Sequence, residues 1–207
     1  MAMSSGTVGI DSQALATLRY IRASMDAAGT VPVPGTAGVG VGIVGLAAAT
    51  LSSTGLLHAY WLEIWLLAAA VGAASGAFFL ARREPGEAFT LLGTSVRKVY
   101  WCLLPCLLAG AVLTVVLFKS AQAQAIPGTW LLLYGCGLLY VSTVTSRGIG
   151  ILGGCFVLLA LVAFVLPSND QTRAALLGIG FGELHVLYGA IVRRTGDGGP
   201  PLGSGAL

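Results

Sequence analysis

The chain has 207 residues, of which 56% are hydrophobic and only 9% charged, and its mean hydropathy is +0.88. A soluble domain carries roughly 25% charged residues because its surface faces water, so this composition excludes an ordinary soluble domain and predicts a surface that faces lipid. The formal net charge of +3 is small and the basic residues lie in short clusters, which argues against a nucleic-acid-binding surface.

The first 35 residues are predicted to form a cytoplasmic segment that holds one amphipathic helix. Between residues 11 and 28, the apolar side chains of Ala14, Leu18, Ile21 and Met25 recur at helical spacing, whereas the charged side chains lie away from that face. This stretch is too short and too charged to cross a bilayer. We therefore expect it to lie in the membrane interface.

Apolar runs of membrane-crossing length make up most of residues 36–194. Because about 20 largely apolar residues span a hydrocarbon core of about 30 Å, the chain has room for six crossings and little else. The predicted fold is all-α, a transmembrane bundle with crossings at 36–53, 56–80, 99–118, 129–144, 149–166 and 173–192. The tail, residues 195–207, has few apolar side chains and is expected to be disordered.

The positions of Lys and Arg predict the orientation of this bundle. With six crossings, most of them fall on one side, and only Lys119 and Arg173 lie in the opposite loops. The positive-inside rule then places both termini in the cytoplasm. The basic side holds Arg19, Arg22, Arg82, Arg83, Arg97, Lys98, Arg147, Arg193 and Arg194.

Small residues are predicted to form the seams between helices, because lipid supplies little hydrophobic drive for helix association and close backbone approach replaces it. The tripeptide Pro-Gly-Thr occurs at residues 34–36 and again at 127–129, a short internal repeat that fits two three-helix halves of opposite topology. The predicted seam residues are Gly38, Gly42, Gly45, Ala49, Ala68, Gly72, Gly76, Gly150, Gly154, Gly178 and Gly182. Aromatic belts are predicted from Trp61, Trp65, Tyr100, Trp101 and Trp130.

Four ionisable side chains fall inside the predicted crossings and are the candidates for function: His58, Glu63, Glu183 and His185. Glu63 and His185 lie within roughly 9 Å of each other in depth, at 1.5 Å per residue, so they are candidates for an interhelical pair. Such a pair could be structural, could handle a proton or solute, or could bind a cofactor. All three interpretations stay open.

Helix geometry argues against a simple metal site. Glu183 and His185 are two residues apart and point in opposite directions. His58 and Glu63 also lie on different faces of their helix. The two histidines differ in depth by roughly 18 Å, too far for two axial ligands of one haem within one subunit. No metal site is therefore predicted, and the identity of any cofactor stays unknown.

Five stretches of the chain resemble a group of small, uncharacterised bacterial inner-membrane proteins with six helices. The resemblance implies the same topology and directs attention to Glu63 and His185, but it implies no activity. Its motifs are TLRYIRASM at 17–25, VPGTAG at 33–38, WLEIWLLAAAVG at 61–72, PGTWLLLYG at 127–135 and GFGELHVLYGAIVRR at 180–194.

The absence of a recognisable catalytic set and the many small-residue faces favour a non-enzymatic protein. The leading interpretation is an accessory or structural subunit that packs against a larger membrane complex or forms a homo-oligomer. The first alternative is a small solute or proton-coupled transporter that uses Glu63 and His185. The second alternative is a haem- or metal-binding membrane protein.

Overall fold

The structure is a computed structural model of the chain, and it describes residues 17–18, 31, 33–55, 57–82, 94–166 and 169–197. Within these residues every regular element is a helix, which confirms the all-α prediction. The elements are α1 (Gly35–Ser53), α2 (Trp61–Ala81), α3 (Thr94–Lys119), α4 (Ile126–Val141), α5 (Arg147–Val165), α6 (Asp170–Leu177) and α7 (His185–Asp197). A π-helical segment, Gly178–Leu184, joins α6 to α7, and we call the three together the sixth rod.

Five helical spans in the described part of the chain are long and apolar enough to cross a membrane. The predicted fourth crossing, residues 129–144, corresponds to α4, which begins earlier at Ile126 and has 16 residues. At 1.5 Å per residue α4 is about 24 Å long, shorter than a hydrocarbon core of about 30 Å. A membrane-type helical bundle is thus confirmed, and the sixth crossing stays a prediction. The five spans are Gly35–Ser53, His58–Ala81, Arg97–Lys119, Arg147–Val165 and Gln171–Arg194.

The two ends of the chain are only partly described. Of the predicted amphipathic helix, only Thr17 and Leu18 are described, both in helical conformation, and its other residues lie outside the described part. At the other end α7 continues to Asp197, three residues into the predicted tail, and residues 198–207 lie outside the described part as well.

The glycine-rich sequence of α1 is helical although glycine is a poor helix former in water. Five of its 19 residues are glycine, a composition that would destabilise an exposed soluble helix. In hydrocarbon, an unpaired backbone N–H or C=O costs several kcal/mol, so the chain satisfies these groups internally whatever its side chains. The glycines are then free to set how closely α1 approaches its neighbours.

Close backbone contact joins α1 to the sixth rod along most of its length. A Cβ atom on Gly42 would lie 2.7 Å from the Val186 nitrogen and 2.8 Å from the Gly182 oxygen. A Cβ atom added to Gly35 or to Gly189 would lie at least as close to the carbonyl oxygen of the other. The start of α1 meets the end of α7, so the two run antiparallel. This contact confirms that the predicted seam residues of the first and sixth crossings pack together.

A second seam, between α4 and α5, differs from the prediction. The predicted seam glycine Gly154 has no atom within 4 Å of an added Cβ, whereas its neighbour Gly153 would place one 2.9 Å from the Gly135 oxygen. Gly150 meets only the Ser142 side chain, at 3.2 Å. The prediction was therefore wrong at Gly154, because glycine spacing along the chain does not indicate which face of α5 meets α4.

The packing boundary of the bundle does not lie between the two predicted halves. The helix α3 packs along α4, which it meets antiparallel through contacts such as Leu133 with Gly110, and α4 in turn packs along α5. By contrast, α3 makes few contacts with α2. The bundle thus separates between α2 and α3, where the two helices diverge around a cavity.

Candidate functional site

An elongated cavity of about 330 Å³ runs through the bundle between α2 and α3. The helices α1 to α5 and the sixth rod all contribute to its wall, which extends from Trp65 and Trp130 near one end to Leu80 and Tyr188 near the other. Most of the lining is aliphatic or small, including Gly72 and other small residues of α2. A large apolar cavity with a few converging polar groups is typical of a binding site for a small molecule.

His185 and Tyr134 form the polar centre of this cavity. His185 is 4% exposed, its Nε2 atom lies 3.0 Å from the Tyr134 hydroxyl, and its Nδ1 atom lies 3.3 Å from the Gly180 carbonyl oxygen. Because a carbonyl oxygen only accepts, Nδ1 donates, and in the neutral ring Nε2 accepts the proton of the Tyr134 hydroxyl. The pair joins α4 to the sixth rod at mid-bundle.

Aromatic rings hold this pair in place. The ring of Tyr134 lies 5.0 Å, centroid to centroid, from both Phe156 and Phe181, and the His185 ring stacks on Phe181 at 6.3 Å with an angle of 10° between the planes. Phe156 is fully buried and contacts the His185 ring edge to face at 5.4 Å. Offset and edge-to-face contacts of this kind fix the orientation of the imidazole.

The π segment places these rings. In a π turn each backbone N–H reaches a carbonyl five residues back, so the turn is wider than an α turn and changes the direction of the following side chains. The glycines Gly178, Gly180 and Gly182 are buried, and an added Cβ on Gly180 would lie 2.6 Å from a Leu131 methyl group. The segment therefore brings the rod close to α4 and aims His185 at Tyr134.

The hydroxyl groups of Thr114 and Tyr100 lie in the cavity wall at other levels. The Thr114 hydroxyl donates to the Gly110 carbonyl at 2.7 Å and accepts from the Trp130 indole at 2.7 Å, and the Tyr100 hydroxyl donates to the Ala73 carbonyl. Each of these hydroxyl groups already donates its proton to the protein. What it offers to the cavity is an acceptor lone pair.

The cavity opens between α2 and α3. Leu66 and Ala69 on α2, and Leu107 and Ala111 on α3, line the cavity and are also exposed. Across this gap the Tyr100 hydroxyl reaches the backbone of α2 at Ala73. A molecule that moves within the hydrocarbon layer could thus enter sideways.

The predicted Glu63 and His185 pair does not form. Glu63 is exposed in the first turn of α2, outside the cavity, while His185 is bonded to Tyr134 and Gly180. Depth along the helices was compatible with a pair, but Glu63 points away from the bundle. Glu183 is likewise exposed, on the side of the sixth rod opposite His185, as the two-residue spacing predicts.

His58 lies apart from His185, in a small pocket of about 10 Å³ that a single water molecule would fill. Ser52, Trp61 and Arg173 share this pocket, where the Arg173 guanidinium lies 5.2 Å from the centroid of the Trp61 ring. The two histidines therefore belong to separate sites. Among the described residues no three His, Cys, Asp or Glu side chains are grouped as a metal site would require.

The sequence-based candidates inside the membrane are all carboxylates and imidazoles, so Tyr134 and Thr114 are not among them. A hydroxyl in the middle of an apolar crossing was the available signal, and both residues carry one. Trp130 was assigned to an aromatic belt, but its indole bonds Thr114 inside the bundle.

No protein-family model matches the chain, and no curated protein or solved structure is significantly similar to it.

Proposed function

We propose that this chain is a non-enzymatic membrane protein that binds a long apolar molecule carrying one hydrogen-bond donor group, and that it takes this ligand up from the bilayer. The observation that carries the proposal is the apolar cavity with the His185 and Tyr134 pair at its centre. The proposal retains His185 from the predicted solute carrier and leaves out Glu63, which lies outside the cavity.

The chemistry of the lining supports the type of ligand. Because the hydroxyl groups of Tyr100, Thr114 and Tyr134 donate to protein acceptors, each of them presents an acceptor lone pair to the cavity. An alcohol, an amine or a protonated acid would satisfy these lone pairs, whereas an ether or ester would not. The aliphatic remainder of the wall suits a hydrocarbon chain.

A pair of neighbouring alanines on α2 tests the cavity. Ala69 lines it, whereas Ala70 is exposed and does not. We expect Ala69→Phe to fill part of the cavity and reduce crosslinking to a photoreactive long-chain alcohol by about tenfold, equivalent to a loss of ~1.4 kcal/mol, while Ala70→Phe leaves crosslinking unchanged. The measurement is crosslink yield in liposomes, followed by identification of the labelled residues.

The methyl ether of the same probe removes its donor and serves as the second control. We expect the ether to crosslink more weakly to the wild-type protein than the alcohol, and the difference to shrink in Tyr134→Phe. Equal labelling of both alanine variants, or labelling confined to the outer faces of the helices, would overturn the proposal.

A second candidate function is the accessory or structural subunit predicted from the sequence. Its supporting observation is Glu183, a carboxylate that is exposed halfway along the sixth rod, at a depth where lipid alone would surround it. Purification in mild detergent tests this role, which predicts a stable complex with another membrane protein. A protein that is always recovered alone and monomeric would contradict it.

The orientation remains part of the proposal, as does the bacterial inner membrane implied by the resemblance. One end of the bundle, which we call the basic end, is formed by the ends of α2 and the sixth rod and by the starts of α3 and α5. It carries Arg82, Arg97, Lys98, Arg147, Arg193 and Arg194. The opposite end has Lys119 and Arg173. The positive-inside rule supports a cytoplasmic basic end and cytoplasmic termini.

A further inference from the structure

A carboxylate lies at the centre of the exposed face of the sixth rod. The candidate span Gln171–Arg194 has Glu183 near its midpoint, about 17 Å from either end at 1.5 Å per residue. Its side chain is exposed, so it faces away from the bundle and toward the surrounding membrane. Ionisable residues at this depth almost always face a protein interior or a water-filled cavity, so an outward-facing one requires a partner.

Six exposed residues of the rod recur with a spacing of four. On a helix with 3.6 residues per turn, such a stripe drifts by about 40° per step. Four residues of the wider π turn at Gly178–Leu184 rotate by less than a full turn, which offsets part of this drift around Glu183. The stripe consists of Gln171, Ala175, Ile179, Glu183, Leu187 and Ile191.

Neighbouring elements provide no positive charge at this level. The helix α1 contains no titratable side chain, and α5 contains only Arg147, at its first residue, and Cys155. On the rod itself the nearest lysine or arginine residues are Arg173 and Arg193, each ten residues or about 15 Å from Glu183. Within the described part of the chain, Glu183 therefore has no cation beside it in the membrane.

We propose that the Ala175 to Ile191 face of the rod docks a transmembrane helix of another polypeptide, and that this helix places a lysine or arginine opposite Glu183. The inference rests on the accessory role proposed above and specifies its chemistry. A cation at mid-membrane neutralises the carboxylate, and the flanking Ile179 and Leu187 side chains pack against the partner helix. A second copy of this chain would offer only another Glu183 at the same depth, so charge complementarity favours a different partner.

A synthetic helix tests this chemistry directly. The probe is a polyleucine peptide of about 22 residues with one central lysine, long enough to span a bilayer, and its twin has leucine at that position. Association with the full-length fluorescently labelled protein in liposomes is measured by energy transfer. We expect the lysine peptide to bind about tenfold more tightly than its twin, a difference of ~1.4 kcal/mol.

Three variants give the controls. Glu183→Leu is expected to abolish the preference for the lysine peptide, Glu183→Gln to remove most of it, and Glu63→Leu, which alters another exposed carboxylate, to leave it intact. Since Glu183 is exposed, these substitutions leave the packing of the bundle unchanged, which unfolding curves in detergent verify.

Two results would overturn the inference. One is an unchanged preference in Glu183→Leu, and the other is self-association of two labelled copies that depends on Glu183 and displaces the peptide. The accessory role fails separately, if the protein is recovered from native membranes as a lone monomer while the lysine peptide is still preferred.

Discussion

His185 is held by contacts on every side of its ring. One nitrogen bonds Tyr134 on α4, the other bonds the Gly180 carbonyl five residues earlier, and Phe156 and Phe181 cover its faces. Helical spacing puts this residue on the same face as Gly178, Gly182 and Gly189, which indicates a helix seam. It could not identify the partner, since Tyr134 is 51 residues away in the chain.

The bond between Tyr134 and His185 is expected to contribute to the free energy of unfolding. Hydrogen bonds between helices in membranes contribute about 0.6 kcal/mol on average and up to about 1.7 kcal/mol. We expect a coupling in the upper part of this range because both groups lie among aromatic rings. A double-mutant cycle of Tyr134→Phe and His185→Leu, measured by unfolding in mixed detergent micelles, gives this energy.

Trp130→Phe and its partner Thr114→Val provide a comparison cycle on α3 and α4. Strictly additive effects of Tyr134→Phe and His185→Leu would show that the two side chains do not interact in the folded protein.

At the scale of the helix, glycine has two different roles in neighbouring positions of α5. Gly153 lies against the backbone of α4, with 2.9 Å between an added Cβ and the Leu139 nitrogen, whereas Gly154 has open space around it. The same residue type thus determines the helix separation at one position and only lowers helix propensity at the next.

Alanine substitutions are therefore expected to have opposite effects. Gly153→Ala should lower the free energy of unfolding by about 1–3 kcal/mol because α4 and α5 must move apart. Gly154→Ala should leave it unchanged or raise it by about 0.5–1 kcal/mol, since alanine is the better helix former. The free energies of unfolding of both variants, measured in parallel, test this prediction. Equal destabilisation would contradict the seam between α4 and α5.

The π segment is the element that sequence reasoning missed entirely. The sequence predicts a regular helix seam from its glycines, and at Gly178 and Gly182 this prediction is confirmed, with Ala49 and Leu46 as neighbours. A π turn is stabilised by the groups around it and has no signal in side-chain spacing. Here the segment brings Gly180 against Leu131 of α4, and the Gly180 carbonyl accepts a hydrogen bond from His185.

At the scale of the whole molecule, the direction of the helices supports an even number of crossings. The helix α1 runs antiparallel to the sixth rod, and α3 and α5 both run antiparallel to α4. If α3 and α5 each cross the membrane in the same direction, the chain has to return between them, and α4 is the segment that makes this return. Five crossings would instead orient α1 and the sixth rod in parallel.

Labelling of introduced cysteines tests this topology. Gln122 and Thr143 are exposed and flank α4. In a background without the native cysteines, we expect Gln122→Cys to react with an impermeant maleimide from outside the cell, and Thr143→Cys to react only after permeabilisation. Reaction of both positions from the same side would mean that α4 does not cross.

The sequence by itself determined that this is a membrane protein built from helices, and approximately where five long spans lie, because these properties depend on local composition and on the need to satisfy backbone groups in lipid. Tertiary structure alone decided which faces meet. It paired His185 with Tyr134 and not with Glu63, placed Gly153 and not Gly154 in a seam, and separated α2 from α3 around a cavity. Because apolar residues lie nearly all round each crossing, the sequence carries little information about which face points inward. The inward face is decided by contacts between residues far apart in the chain.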